Sequence, residues 1–158
     1  MALEVKGIKV KIEGKEVLDL YAGTGSFGLE ALSRGAAGVV FVESAFKACR
    51  LLKENLKLLN AEENSSVMCA KVSQALESFK ENGRNFNLIF VDPPFLFNLC
   101  QKTLDNLVES NLLKHNALII VHHHQKEKVD SPSEKLLLIK SKKFGDNLVS
   151  IFLFSEQK

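Results

Sequence analysis

The 158-residue chain has no tryptophan, one tyrosine and three prolines, and its three cysteines, Cys49, Cys69 and Cys100, are odd in number and widely spaced. None forms a C-x-x-C pair, which excludes a cysteine zinc site and a disulfide scaffold and predicts reduced, buried thiols in a cytoplasmic protein. No stretch approaches the roughly 18 apolar residues of a membrane span, and the N-terminus scatters lysines among its apolar residues instead of forming a signal-peptide core. Charge of one sign is also missing: 21 Lys and Arg stand against 19 Asp and Glu, a net charge of +2. That permits nucleic acid as a partner without arguing for it. What is present is 46% apolar residues, enough for one compact core at this length.

Apolar runs and amphipathic segments alternate along the chain. Val5, Ile8, Val10 and Ile12 alternate with lysines and predict a short strand or hairpin before Gly14. Residues 16–21 read as a buried strand running into a glycine turn and then a helix from Phe27, ended by Gly35. The pattern repeats as a strand at 38–42 with a helix to Asn60, and again as a weaker strand at 66–70 with a helix at 72–80 capped by Ser73. A strand at 86–91 is stopped by Pro93 and Pro94, since proline can continue neither a helix nor a ladder. A helix carrying Leu99, Leu104, Leu107 and Val108 follows, then a buried strand at 117–121 and a polar surface connection from His122 to Glu134. Residues 136–140 and 148–154 flank Gly145-Asp146-Asn147 as a closing hairpin. The expected fold is a doubly wound α/β domain over residues 15–158, mostly parallel, with a terminal antiparallel hairpin and residues 1–14 as a short strand or leader. Such folds bind ligands at the carboxyl ends of their strands.

The first turn, Gly23-Thr24-Gly25-Ser26-Phe27-Gly28, matches G-x-G-x-x-G, with Glu43 about twenty residues on at the end of the next strand. Glycine lets a ligand approach the backbone and the carboxylate accepts from ribose hydroxyls, demands shared by every adenosine cofactor, NAD included. Asp19 discriminates. A second carboxylate at a strand tip repels a pyrophosphate but balances the ammonium and sulfonium of S-adenosylmethionine. The candidate donor-binding residues are Asp19, Tyr21, Ala22, Gly23, Thr24, Gly25, Glu43 and Ser44. The alternative for Asp19 is a capping or loop aspartate.

The second motif, Asp92-Pro93-Pro94-Phe95, ends the strand expected to lie beside the first. An exocyclic amine on a base is a poor nucleophile because its lone pair is delocalised into the ring. A carboxylate and a carbonyl, from Asp92 and Pro93, can accept its N–H groups and draw it towards tetrahedral geometry, while Phe95 offers a stacking face. Asp92, Pro93, Pro94 and Phe95 are therefore the candidate catalytic residues.

Together, residues 17–36 (VLDLYAGTGSFGLEALSRGA), 41–43 (FVE), Asn55, 86–95 (FNLIFVDPPF) and 144–146 (FGD) resemble the bacterial 16S ribosomal RNA guanine-N2 methyltransferases of the RsmD-like group. The segment 29–36 (LEALSRGA) separates this group from other amino-methylating enzymes. The resemblance implies a Rossmann-like class I methyltransferase with a seven-stranded sheet, S-adenosylmethionine as cofactor, and a cytoplasmic monomer. Its partner would be ribosomal RNA or a small-subunit assembly intermediate, with the guanine flipped into the pocket. Three positions depart from the group. Residues 1–14 stand where a longer region with an Arg-Pro-Thr element is usual. Lys71 replaces an aspartate that meets the adenine amine, and Phe95 replaces a tyrosine. The alternatives are an amino-methyltransferase for DNA adenine, transfer RNA or protein, and a donor-binding module that needs a partner chain. His122-His123-His124 as a metal site, and the lysine-rich stretches as RNA contacts, are weaker readings than a polar loop and solvated faces.

Overall fold

The computed structural model describes residues 2–5, 7–94 and 98–156. Nine strands and four α-helices are described, with a short 3-10 turn at Glu62–Asn64: β1 (Ala2–Val5), β2 (Ile8–Lys11), β3 (Glu16–Leu20), α1 (Ser26–Ser33), β4 (Gly38–Glu43), α2 (Phe46–Leu58), β5 (Ser65–Cys69), α3 (Val72–Glu81), β6 (Phe86–Val91), α4 (Leu99–Glu109), β7 (Leu113–His124), β8 (Leu136–Phe144) and β9 (Asn147–Phe154). Seven strands form one sheet in the order β5-β4-β3-β6-β7-β9-β8, and β1 and β2 form a separate antiparallel pair. The ladders β5-β4, β4-β3, β3-β6 and β6-β7 are parallel; those of β9 to β7 and to β8 are antiparallel. This is the doubly wound sheet with closing hairpin that the sequence predicts.

The central parallel strands carry buried apolar residues on both faces because helices cover both sides of the sheet. One face holds Leu18, Leu20, Val40, Val42, Ile89 and Val91 against α3 and α4. The other holds Val17, Val39, Phe41 and Leu88 with Leu52 and Leu56 of α2, and here Ile8, Val10 and Ile12 join the core. In α3 the buried residues Val72, Ala75, Leu76 and Phe79 recur at three- and four-residue spacing, the signature of a helix with one apolar stripe. Phe27 of α1 stacks on Phe90 of β6, ring centroids 4.0 Å apart, which ties the helix after the glycine turn to the strand that ends in Asp92. Such a pair contributes about 0.5–1.5 kcal/mol beyond its buried area.

Four sequence expectations are corrected. Lys71, not Ser73, is the N-cap of α3, and the Lys71 N–H donates to Gln74 Oε1 at 3.3 Å. The strand expected to stop at Val121 continues through His124, because His122, His123 and His124 pair with Val149, Leu148 and Asn147 of β9. The connection after it is not wholly a surface one. Glu127 is buried, and its carboxylate accepts the Cys100 N–H at 3.0 Å in the first turn of α4, a favourable place for an anion. Finally, Cys49 and Cys69 are paired as a disulfide with Cα atoms 6.0 Å apart, leaving Cys100 buried and free. They meet because β5 lies beside β4, bringing its end to the first turn of α2. Among the described residues no helix is long and apolar enough to cross a membrane.

Gly28 shows how tightly α1 sits on the sheet. A β-carbon there would strike the ring of Phe41, 2.7 Å from Cζ, and Phe41 is fully buried. Gly28→Ala is expected to destabilise the fold by about 1–3 kcal/mol through overpacking, read as a lower urea midpoint; an unchanged midpoint would show that the helix can lift without cost.

Candidate active site

The site is built from the register of the sheet. Leu20 of β3 pairs with Val42 of β4 on one side and Val91 of β6 on the other, and Val91 pairs with Val121 of β7. The next residue on each strand is Glu43, Tyr21, Asp92 or His122, so these four stand in a row along the carboxyl edge. Tyr21 leaves β3 with φ 59°. This left-handed conformation is costly for a side chain with a β-carbon and marks a tightly constrained turn.

Glu43 holds the glycine turn. Its Oε1 accepts the Gly23 N–H at 2.9 Å and its Oε2 the Ala45 N–H at 2.7 Å. Ala22 donates to the Val42 carbonyl and Gly25 to the Ala22 carbonyl, both at 2.9 Å. Gly23 has φ 60°, and a β-carbon there would meet nothing within 4 Å. This glycine is required by backbone conformation and leaves open space above the turn; Gly28, by contrast, is required by packing.

Two cavities adjoin along this edge. The first, about 280 Å³, is mostly apolar and lies between the β3 and β4 tips, the start of α3 and the face of α4. It is lined by Tyr21, Val42, Glu43 and Ser44, by Ala70, Lys71, Val72 and Ser73, and by Pro94, Leu99, Lys102, Thr103 and Asn106. The second, about 460 Å³, is lined by Tyr21, Glu43, Ser44, Asp92, Pro93, Pro94 and His122. Tyr21, Glu43, Ser44 and Pro94 belong to both, so the cavities meet at the tip of β3. The Tyr21 hydroxyl bonds Thr103 Oγ1 at 2.8 Å, and burial pushes its pKa upward.

Of the residues singled out in the sequence, Tyr21, Glu43, Ser44, Asp92, Pro93 and Pro94 line these cavities, and Ala22, Gly23, Thr24 and Gly25 make the turn beside them. Phe95 lies outside the described residues. Asp19 is 2% exposed and lines neither cavity; its Oδ2 accepts the Gly28 N–H at 3.1 Å in the first turn of α1. Burial raises its pKa to about 7, opposed by the Gly28 hydrogen bond and reinforced by the negative charges of Asp92 and Glu43. Three carboxylates therefore share this end of the sheet.

Sequence reasoning missed Lys102, Thr103 and Asn106 on α4, and His122. Thr103 carried a faint signal, a polar residue within the buried stripe of Cys100, Leu104 and Leu107. His122 Nδ1 lies 3.1 Å from Asp92 Oδ1. His123, its neighbour, points the other way into the fold, with Nε2 2.9 Å from the Ser150 hydroxyl.

The mostly parallel sheet, with a glycine turn after its first parallel strand, an acidic residue at the next tip and a carboxylate-proline-proline tip alongside, has the Rossmann-like class I methyltransferase fold, shared with solved putative methyltransferases at 30% and 36% identity. An RNA methyltransferase from Salinibacter ruber, solved with S-adenosyl-L-homocysteine, shares this fold at TM-score 0.70 and 15% identity, covering 93% of this chain and 86% of that one. A conserved hypothetical protein from Streptococcus pyogenes superimposes with TM-score 0.82 at 26% identity, covering 90% and 88%. The family described as conserved hypothetical protein 95 matches residues 5–153. Ribosomal RNA small subunit methyltransferase D of Haemophilus influenzae is 37% identical over 134 residues, 85% of this chain and 69% of that protein. The chain belongs to this RsmD family.

Asp19 gives a test of the site's electrostatics. Its folded pKa of about 7 lies above the ordinary 3.8, so its contribution to stability is complete below that lower value and is lost as pH rises through about 7. Asp19→Asn keeps an oxygen for the Gly28 N–H and cannot ionise. It is expected to match the parent near pH 4 and to exceed it in thermal midpoint above pH 7, by about 2–4 °C per kcal/mol recovered. Parallel pH curves for the two proteins would contradict a buried, protonated Asp19.

Proposed function

We propose that the protein transfers a methyl group from S-adenosylmethionine to the exocyclic N2 amine of a guanine in 16S ribosomal RNA. The observation that carries this reading is the adjacency of the tips of β3 and β6. It places the glycine turn, Glu43 and an apolar cavity on one side of Tyr21 and the Asp92-Pro93-Pro94 tip on the other. Family membership and the names of its relatives support the substrate class.

The residues present fit the donor. Glu43 already accepts two amide N–H groups and keeps lone pairs for ribose hydroxyls. The open space above Gly23 admits the donor's amino-acid end beside the glycine turn. The apolar cavity between Glu43 and α4 suits an adenine. Lys71, with no acceptor on its side chain, leaves the adenine amine to another acceptor, and the Ser73 hydroxyl lines the same cavity. When bound, S-adenosylmethionine supplies an electrophilic methyl group on a positively charged sulfur, and the carboxylates of Glu43 and Asp92, which line the cavities, favour that charge.

On the acceptor side, Asp92 and Pro93 accept the N–H groups of the amine, directing its lone pair away from the ring, and the Asp92 carboxylate takes the proton that the nitrogen sheds. Orientation of this kind supplies as much as about 7–11 kcal/mol for well-aligned reactants, and no covalent enzyme intermediate is needed.

The test is transfer of labelled methyl to 16S ribosomal RNA or immature small subunits, with the product base identified by mass spectrometry. N2-methylguanine is expected. Asp92→Ala is expected to lower transfer by about 10² or more while donor affinity, measured by calorimetry, stays within a few-fold. Label in adenine, transfer RNA or protein instead would change the acceptor. Preferential binding of NADH would remove the donor assignment, and activity only with an added partner chain would make the protein a donor-binding module.

A further inference from the structure

We infer that His122 is a positioning residue for the acceptor carboxylate, a role that rests on the reading of Asp92 given above. An ionised carboxylate has no hydrogen to give, so the 3.1 Å contact is made by Nδ1–H donating to Asp92 Oδ1. One carboxylate oxygen is thereby engaged on the β7 side. The other, Oδ2, is left for the amine of the incoming base.

Asp92 needs such a restraint. It stands one residue beyond the last registered pair of β6 and β7, and its side chain is 38% exposed. Without a partner, a carboxylate there could present either oxygen by rotation about its two side-chain bonds, whereas the proposed chemistry requires one oxygen at a fixed angle to the amine. His122 comes from firmer ground. Its side chain is 18% exposed, its backbone pairs with Val149 of β9, and its carbonyl receives the Cys100 thiol from α4 at 3.7 Å. Asp92 and His122 also line the same cavity with Pro93 and Pro94. The ring is thus a more deeply buried donor against a more exposed acceptor, the arrangement by which a supporting residue sets the geometry of one that touches substrate.

The experiment compares three variants of the full chain in the labelled-methyl assay. His122→Leu keeps bulk without a donor. His122→Asn places an amide nitrogen near the position of Nδ1. His122→Gln places it nearer that of Nε2, away from Asp92, and gives the same contrast in a polar side chain should the Leu variant fold poorly. The Leu and Gln variants are expected to lose about 10–10²-fold in kcat, the scale of misplaced reacting groups, with KM for RNA, donor affinity and thermal midpoint near the parent's. The Asn variant is expected to recover kcat to within a few-fold of the parent. Parental kcat in the Leu and Gln variants, or an Asn variant no better than Leu, overturns the positioning role alone. Absence of transfer by the parent itself overturns the functional reading, and the role of His122 with it.

Discussion

The register of four parallel strands is the constraint on which the site depends. Val42, Leu20, Val91 and Val121 form a line across β4, β3, β6 and β7, all four fully buried. Burying each such side chain is worth about 1.5–3 kcal/mol, and because both faces of the sheet are packed, a slip of one residue in a strand would exchange its two sets of fitted core partners. The positions that follow this line are consequently fixed relative to one another. They are Glu43, Tyr21, Asp92 and His122, so the chemistry at the edge inherits its geometry from apolar packing beneath it.

The second theme is concentrated negative charge in a nearly neutral protein. A net charge of +2 conceals the carboxylates of Glu43 and Asp92 and the buried carboxyl of Asp19 at one end of the sheet. The fold accommodates them differently. Glu43 is answered by the Gly23 and Ala45 amides, Asp92 by His122, and Asp19 by the Gly28 amide together with a proton that burial helps it to keep. A cationic ligand at this edge meets a field already arranged for it, with little reorganisation needed on binding.

The alternation of apolar runs and amphipathic segments made most of the fold legible in the sequence, down to the closing hairpin around Gly145. Punctuation made much of the site legible too, because the glycines and the prolines mark where strands stop, and strand ends carry function. What lay beyond reach was contact between strands distant in sequence. Asp19 reads as a tip residue facing a ligand, yet strand alternation and α1 turn it beneath the turn. His122 opens a polar run that looks like a loop, and only its pairing with β9 keeps it in the sheet, beside a carboxylate 30 residues away. Cys49 and Cys69 have no motif spacing, since their proximity is created by the β4-β5 ladder. Thr103 sits at a core position of α4 and reveals its polarity only through Tyr21.

The most direct measurement of the central claim is a crystal structure with S-adenosylhomocysteine bound. The account predicts the adenosine in the cavity between Glu43 and α4, ribose hydroxyls on the Glu43 carboxylate, and the sulfur beside Tyr21 facing Asp92. A nucleoside bound away from the β3 tip, or a sulfur turned from Asp92 with chain between them, would contradict it.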